Sequence, residues 1–283
     1  MERIVLGYDG GPAAVAALSW VIRRVNRRVA RIDIVSVVPT HAVDRSSSLE
    51  HLEAAEARLR DQARGTRVGL HRLEGDVADG LAGVVDDADI LVTGINLGRP
   101  VRAKLAGALP VRLSARADVP VVLVPSDWTE TGDPVTVGIA ADGSSDAALA
   151  FAAAEAEILD VPTRLVHSWL MPTPRFAEPH AVQPTPESVA EGHSRVLDRA
   201  SVWVLGHYPR AAVCTELVRD VASGALLSYA DRSSMLVMGT RRLGPLAGSL
   251  FGSVTQEVLW RAECPVAIVP SSSRPRRPRI GSA

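Results

Sequence analysis

The chain carries the same text twice, and this duplication limits what it can fold into more than any other feature. Ala115–Pro125 (ARADVPVVLVP) is matched by Trp260–Pro270 (WRAECPVAIVP) at a displacement of 145 residues, and Ala88–Gly94 (ADILVTG) by Ser233–Gly239 (SSMLVMG) at the same displacement. Asp9-Gly10 and Asp142-Gly143 match at a displacement of 133, a difference that loop lengths would absorb. A unit of about 140 residues is a domain, not a solenoid repeat. The expected organisation is a first domain over 1–126, a linker over 127–134, a second domain over 135–270 and a basic tail over 271–283.

Within each copy, short apolar runs alternate with helical patterns. Arg3 to Tyr8 (RIVLGY), Arg31 to Val38 (RIDIVSVV), Asp89 to Thr93 (DILVT) and Val119 to Val124 (VPVVLV) read as strands. Between the first two, Leu18, Val21, Ile22 and Val25 recur at helical spacing. In the second copy, Val135 to Ala141 and Thr163 to Trp169 read as strands, with a helix from Val218 to Asp231 ahead of a strand at Met235 to Met238. Alternation of this kind argues an α/β fold of two doubly wound domains, each with a five-stranded parallel sheet. Runs such as VVLV fit burial on both faces. The tail, with arginines among Pro, Ser and Gly, lacks the apolar content to fold.

Composition excludes several functions. The net charge of −1 gives no case for a nucleic-acid partner, which would want a clustered basic surface. No apolar run approaches the roughly 18 residues that cross a bilayer, so no membrane partner is expected. The two cysteines, Cys214 and Cys264, have no metal-ligand spacing. With no secretory pattern at the start, they fit a cytoplasmic location.

The stretch from Met238 to Val254 (MGTRRLGPLAGSLFGSV) is the expected functional site. A strand, a glycine-bearing loop and a helix N-terminus present backbone N–H groups to an anion, and the helix dipole favours negative charge there. Gly239 and Gly252 stand 13 apart with Ser253 next; Gly94 and Gly107 are also 13 apart, but Ala108 follows. A serine at a helix N-terminus can cap the helix or bond a phosphate, and alanine can do neither. His167 lies in an apolar strand and reads as a core histidine. There is no phosphate-binding G-x-x-x-x-G-K-[ST] loop, and no nucleophile–base pair has recognisable spacing.

These residues resemble the universal stress protein family in its tandem two-domain form, twice over up to about residue 270. The resemblance implies a Rossmann-like fold of the adenine-nucleotide-hydrolase type. It also implies ATP, with Mg accompanying it, as ligand. The nucleotide-binding members carry Gly, two residues, Gly, nine residues, then Gly-Ser or Gly-Thr. Here Gly239 and Gly252-Ser253 match the ends, and Arg242 holds the middle position. By the same resemblance Asp142, and Asp9 in the first copy, would hold the adenosine end, Ser168 would contact the base, and Met238 and Val254 would flank the loop. Gly94 and Gly107 would be the remnants of a first-copy site whose middle position is Leu97. The expected partners are an adenine nucleotide, the other domain of the same chain through pairing of the fifth strands, a homodimer mate and a protein partner not identified by the sequence.

Three functions remain open on the sequence. One is a stress-responsive regulator that binds ATP chiefly in its second domain and hydrolyses it slowly at most. Another, suggested by Leu97, Ala108 and Arg242, is an interaction module of the same fold whose sites have decayed. The third is an enzyme on the same fold, which fold alone does not exclude.

Overall fold

The structure is a computed structural model, and it describes residues 1–40, 47–96, 108–172, 185–240 and 253–271. The first copy supplies strands β1 (Glu2–Gly7), β2 (Ala30–Val38), β3 (Arg67–Glu74), β4 (Ile90–Ile95) and β5 (Val121–Pro125). Its helices are α1 (Pro12–Arg27), α2 (Ser47–Gln62), α3 (Val77–Ala82) and α4 (Ala108–Arg116). The second copy supplies β6 (Val135–Gly138), β7 (Thr163–Ser168), β8 (Val213–Val218), β9 (Met235–Thr240) and β10 (Val266–Pro270). Its helices are α5 (Asp146–Leu159), α6 (Pro186–His207), α7 (Ala222–Leu227) and α8 (Ser253–Arg261). The tail beyond 271, expected to be disordered, lies outside the described residues.

All ten strands form one sheet in the order β3-β2-β1-β4-β5-β10-β9-β6-β7-β8. Each half is parallel, and the halves join through β5 and β10, which pair antiparallel. The join is centred on Val122 opposite Ala267, and these two residues are each other's counterparts in the repeat. An approximate two-fold axis therefore passes through that pair, and the expected pairing of fifth strands occurs within the chain.

Successive strand residues point to opposite faces, so apolar runs bury both. Ile4 and Leu6 join one core cluster and Val5 the other; Val122 and Val124 divide likewise from Val121 and Leu123. The first cluster lies under α1, α2, α5 and α6, the second under α3, α4, α7 and α8, and both run across the join.

The strands also fix how the copies correspond. β1 meets β4 with Ile4 opposite Ile90, and β6 meets β9 with Val135 opposite Met235. Tyr8 N–H donates to Val35 O, and Ile139 N–H donates to Val166 O. These pairs set a displacement of 131 at the start of each copy, not the 133 read from the Asp-Gly dipeptides. Those dipeptides match because they make the same local turn. Gly10 and Gly143 have φ of +79° and +76°, and Oδ1 of Asp9 and of Asp142 accepts the N–H two residues on, at 2.9 and 3.1 Å. In the second copy the turn comes two residues later, where α1 has already begun, so α5 starts about a turn late. A second difference from the expected elements follows from β8. Leu217 and Val218 pair with His167 and Ser168, so the strand runs past the expected helix start and α7 begins only at Ala222.

Candidate functional site

Ser168, Met238, Gly239 and Val254 meet at one place. The carboxyl ends of β6, β7 and β9 border a cleft of about 400 Å³ lined by these four residues among others, a volume in the range of small-molecule sites. The strand order reverses between β6 and β9. That is the crevice where parallel α/β sheets take ligands. Val254 and Thr255, from the first turn of α8, close one end. Amides of a first helical turn have no acceptor within the helix, so this end is electropositive. Ser253 opens α8 and is exposed. Gly252 and Arg242, and in the first copy Leu97 and Gly107, lie outside the described residues.

Gly239 has a packing reason to be glycine. A Cβ there would lie 2.9 Å from the carbonyl oxygen of Ser144, in the loop between β6 and α5. The same holds more strongly for Gly94, whose Cβ would lie 2.1 Å from the carbonyl carbon of Ala13 in α1.

Asp142 stands elsewhere. It is exposed and lines a neighbouring cavity of about 450 Å³ together with Asp146, Arg199 and Trp203. By the strand register the residue equivalent to Asp9 is Ala140, and Ala140 does line the cleft. Asp9 itself is exposed, and the ring of His51 packs so close over Gly10 that a Cβ there would meet it at 2.5 Å.

The far end of the cleft is built from residues whose role the sequence did not disclose. His167 is buried, as expected of a core histidine, but it also lines the cleft. Its Nδ1 lies 2.7 Å from Ile139 O and its Nε2 lies 2.7 Å from Nδ1 of His193 on α6. His193 also lines the cleft, between His167 and Trp169, with ring centroids 5.0 and 6.0 Å away at interplanar angles of 30° and 26°. Arg219 lies over the other neighbour, Trp169, 5.5 Å from its ring centroid. Burial, and then the adjacent His167, hold the His193 imidazole below its ordinary pKa, which favours the neutral ring at pH 7.

A signal for this wall existed in the repeat. The buried stripe Leu52, Ala55, Leu59 of α2 corresponds to Leu197, Ala200, Val204 of α6, which places His193 at the position of Ser48. His167 corresponds to Ser36. Ser48 accepts a hydrogen bond from Arg72 Nε at 3.0 Å, so the first copy has neither imidazole. Among the described residues no group of three or more His, Cys, Asp or Glu could hold a metal ion. None of the described helices is long and apolar enough to cross a membrane.

Comparison with known proteins agrees with the geometry. The model of the universal stress protein family matches residues 1–125 and again 133–270. A universal stress protein of Mycobacterium tuberculosis is 25% identical over 291 residues, covering 95% of this chain and 96% of the relative. One from Mycolicibacterium smegmatis is 25% identical over 295 residues, covering 96% and 97%. The crystal structure of a universal stress protein from Archaeoglobus fulgidus superposes with a TM-score of 0.70 at 14% identity, covering 95% of this chain and 98% of that one. With both halves matched and nearly the whole length of its relatives spanned, the chain belongs to the universal stress protein family, in a tandem form.

Proposed function

We propose that this protein is a cytoplasmic stress-response regulator that binds one adenine nucleotide per chain, as ATP, in the cleft of its second domain, without dedicated catalytic machinery. The observation that carries this reading is the cleft between β6 and β9, with the N-terminus of α8 at one end and Ser168 at the other. The triphosphate lies toward Gly239, Ser253 and Val254, where the helix dipole and the first-turn amides favour an anion. The base lies toward Ser168. Any Mg²⁺ rides on the phosphates, since no metal cluster stands among the described residues. In the first domain His51 sits against the Asp9-Gly10 turn, and we assign it no nucleotide.

Calorimetric titration with ATP tests the reading. The expected result is saturable binding at one site per chain. Ala222 lines the cleft and is half-buried, so Ala222→Trp should fill it and weaken binding by about tenfold or more, roughly 1.4 kcal/mol, with an unchanged melting temperature as the check on folding. No binding by the unaltered protein, or equal binding by a folded variant, would reject the proposal.

A further inference from the structure

The histidine wall at the β7 end of the cleft has a direction built into its hydrogen bonds. A carbonyl oxygen can only accept, so His167 must place its proton on Nδ1 to satisfy Ile139 O. Neutral His167 then offers a lone pair at Nε2. His193 must donate to it from Nδ1, and neutral His193 is left with a lone pair at its own Nε2. One backbone carbonyl thus sets both tautomers, and the last nitrogen of the relay, on the cleft-lining His193, is an acceptor.

Its place along the cleft says what it meets. β6 lies between β9 and β7, so the phosphate end and the histidine end are two strand spacings apart, about 10 Å. That span suits a nucleotide with its phosphates at α8 and its base at β7. Resting on the nucleotide reading above, we infer that His193 is a specificity-determining residue that selects a 6-amino purine over a 6-oxo purine. An exocyclic amine donates to the Nε2 lone pair, whereas an exocyclic oxygen faces it lone pair to lone pair. A site built to pair one hydrogen-bond pattern discriminates strongly against the opposite one. Protonation of His193 turns the acceptor into a donor, which opposes the amine, suits the oxygen and so works against the preference.

Few other charges bear on this group among the described residues. From β7 it faces His167, and beyond Trp169 stands Arg219. From β8, Val213 and Leu217 pack toward the α6 side, while Glu216 interacts with Tyr229. Asp142, Asp146 and Arg199 line the adjacent cavity beside α5. On α6 itself, Glu191 and Arg195 pair with each other at the exposed surface.

The test compares ATP with inosine triphosphate, which carries an oxygen in place of the 6-amino group and a proton on N1, at pH 8 and pH 5. The expected result at pH 8 is a preference for ATP of about tenfold or more, reduced at pH 5 and lost in His193→Phe, which keeps a flat ring but no acceptor. Equal affinities in the unaltered protein at pH 8, or an unchanged preference in His193→Phe, overturn the inference and leave nucleotide binding standing. Binding of neither nucleotide overturns both. Nitrogen-15 spectra of the unliganded protein give a check that needs no variant. His193 should carry its neutral-state proton on Nδ1, and the opposite tautomer refutes the relay.

Discussion

Replacing Arg24 with alanine is expected to cost about 3–5 kcal/mol of folding free energy and to lower the melting temperature by roughly 10 °C. Arg24 lies on α1 and is 3% exposed. Its Nε and Nη2 donate to Glu2 at 3.2 and 2.9 Å, Nη2 also donates to Glu155 Oε1 at 2.8 Å, and Nη1 pairs with Glu155 Oε2. Burial alone would push the guanidinium toward neutrality, and the two carboxylates more than reverse this. Glu155 is fully buried on α5 and Glu2 nearly so on β1. Without Arg24, two carboxylates stay in the interior and lose its charge and its hydrogen bonds. Burial raises a carboxylate's pKa. A folded-state pKa above the unfolded value destabilises at neutral pH and stops doing so once pH falls below it. The deficit should therefore shrink between pH 7 and pH 5. Urea denaturation at the two pH values checks this, and a deficit that does not change with pH would point instead to the lost contact with Trp20, whose ring centroid lies 5.5 Å from the guanidinium. In a double-mutant cycle, Arg24→Met with Glu155→Met should recover much of the loss, because apolar replacements leave less buried charge unpaired.

The same pair bears on assembly. Arg24 and Glu155 are equivalent positions in the two copies at the displacement of 131 that the strands set. Across the approximate two-fold axis each therefore faces its own counterpart. Two identical copies would set arginine against arginine, or glutamate against glutamate, in the interior. The divergence to one of each makes the contact between α1 and α5 fit one copy against the other and not against itself. Glu130, between β5 and β6, adds to this by taking both Arg23 and Arg27 of α1.

Much of this fold could be read from the sequence because its signals are local or repeated. The alternation of apolar runs with helical patterns, and ARADVPVVLVP against WRAECPVAIVP, suffice for two α/β units and for a join through their last strands. The site was less legible, for a physical reason. Asp-Gly makes a tight turn wherever it falls, so it marks a turn and not a strand register. The register comes from ladder bonds such as Tyr8 to Val35 and Ile139 to Val166, which no dipeptide reports. His193 sits on a polar helix reached through the proline-rich segment after Leu170. Only the buried stripe of that helix, once packed, brings it to His167. Arg24 and Glu155 are 131 residues apart and carry no mutual signal until the sheet closes.

The two glycines at the ends of β4 and β9 were both read as phosphate-loop residues, and a matched pair of substitutions separates packing from binding. Gly94→Ala is expected to cost about 3 kcal/mol or more. Its methyl would lie 2.1 and 2.2 Å from the carbonyl carbon and oxygen of Ala13 and 2.6 Å from Ala14 N. All of these belong to the backbone of α1's first turn, so the helix itself would have to lift from β4. At Gly239 the nearest atoms are Ser144 O at 2.9 Å and Ser145 Cα at 3.3 Å. They sit in the stretch where the second copy has lost its first helical turn, and a loop can yield by a few tenths of an ångström where a helix cannot. Gly239→Ala should accordingly cost only about 1 kcal/mol. Urea denaturation of the two variants measures the difference, and equal losses would show that the late start of α5 gives no slack. ATP titration of the same variants then divides the roles. The glycine in the first copy is accounted for by packing alone, so Gly94→Ala, measured where it remains folded, should leave ATP affinity unchanged. Gly239 lines the cleft, so there the added methyl should weaken ATP binding by more than its effect on stability explains. If affinity does not change, Gly239 too is a packing glycine, and the phosphates rest on α8.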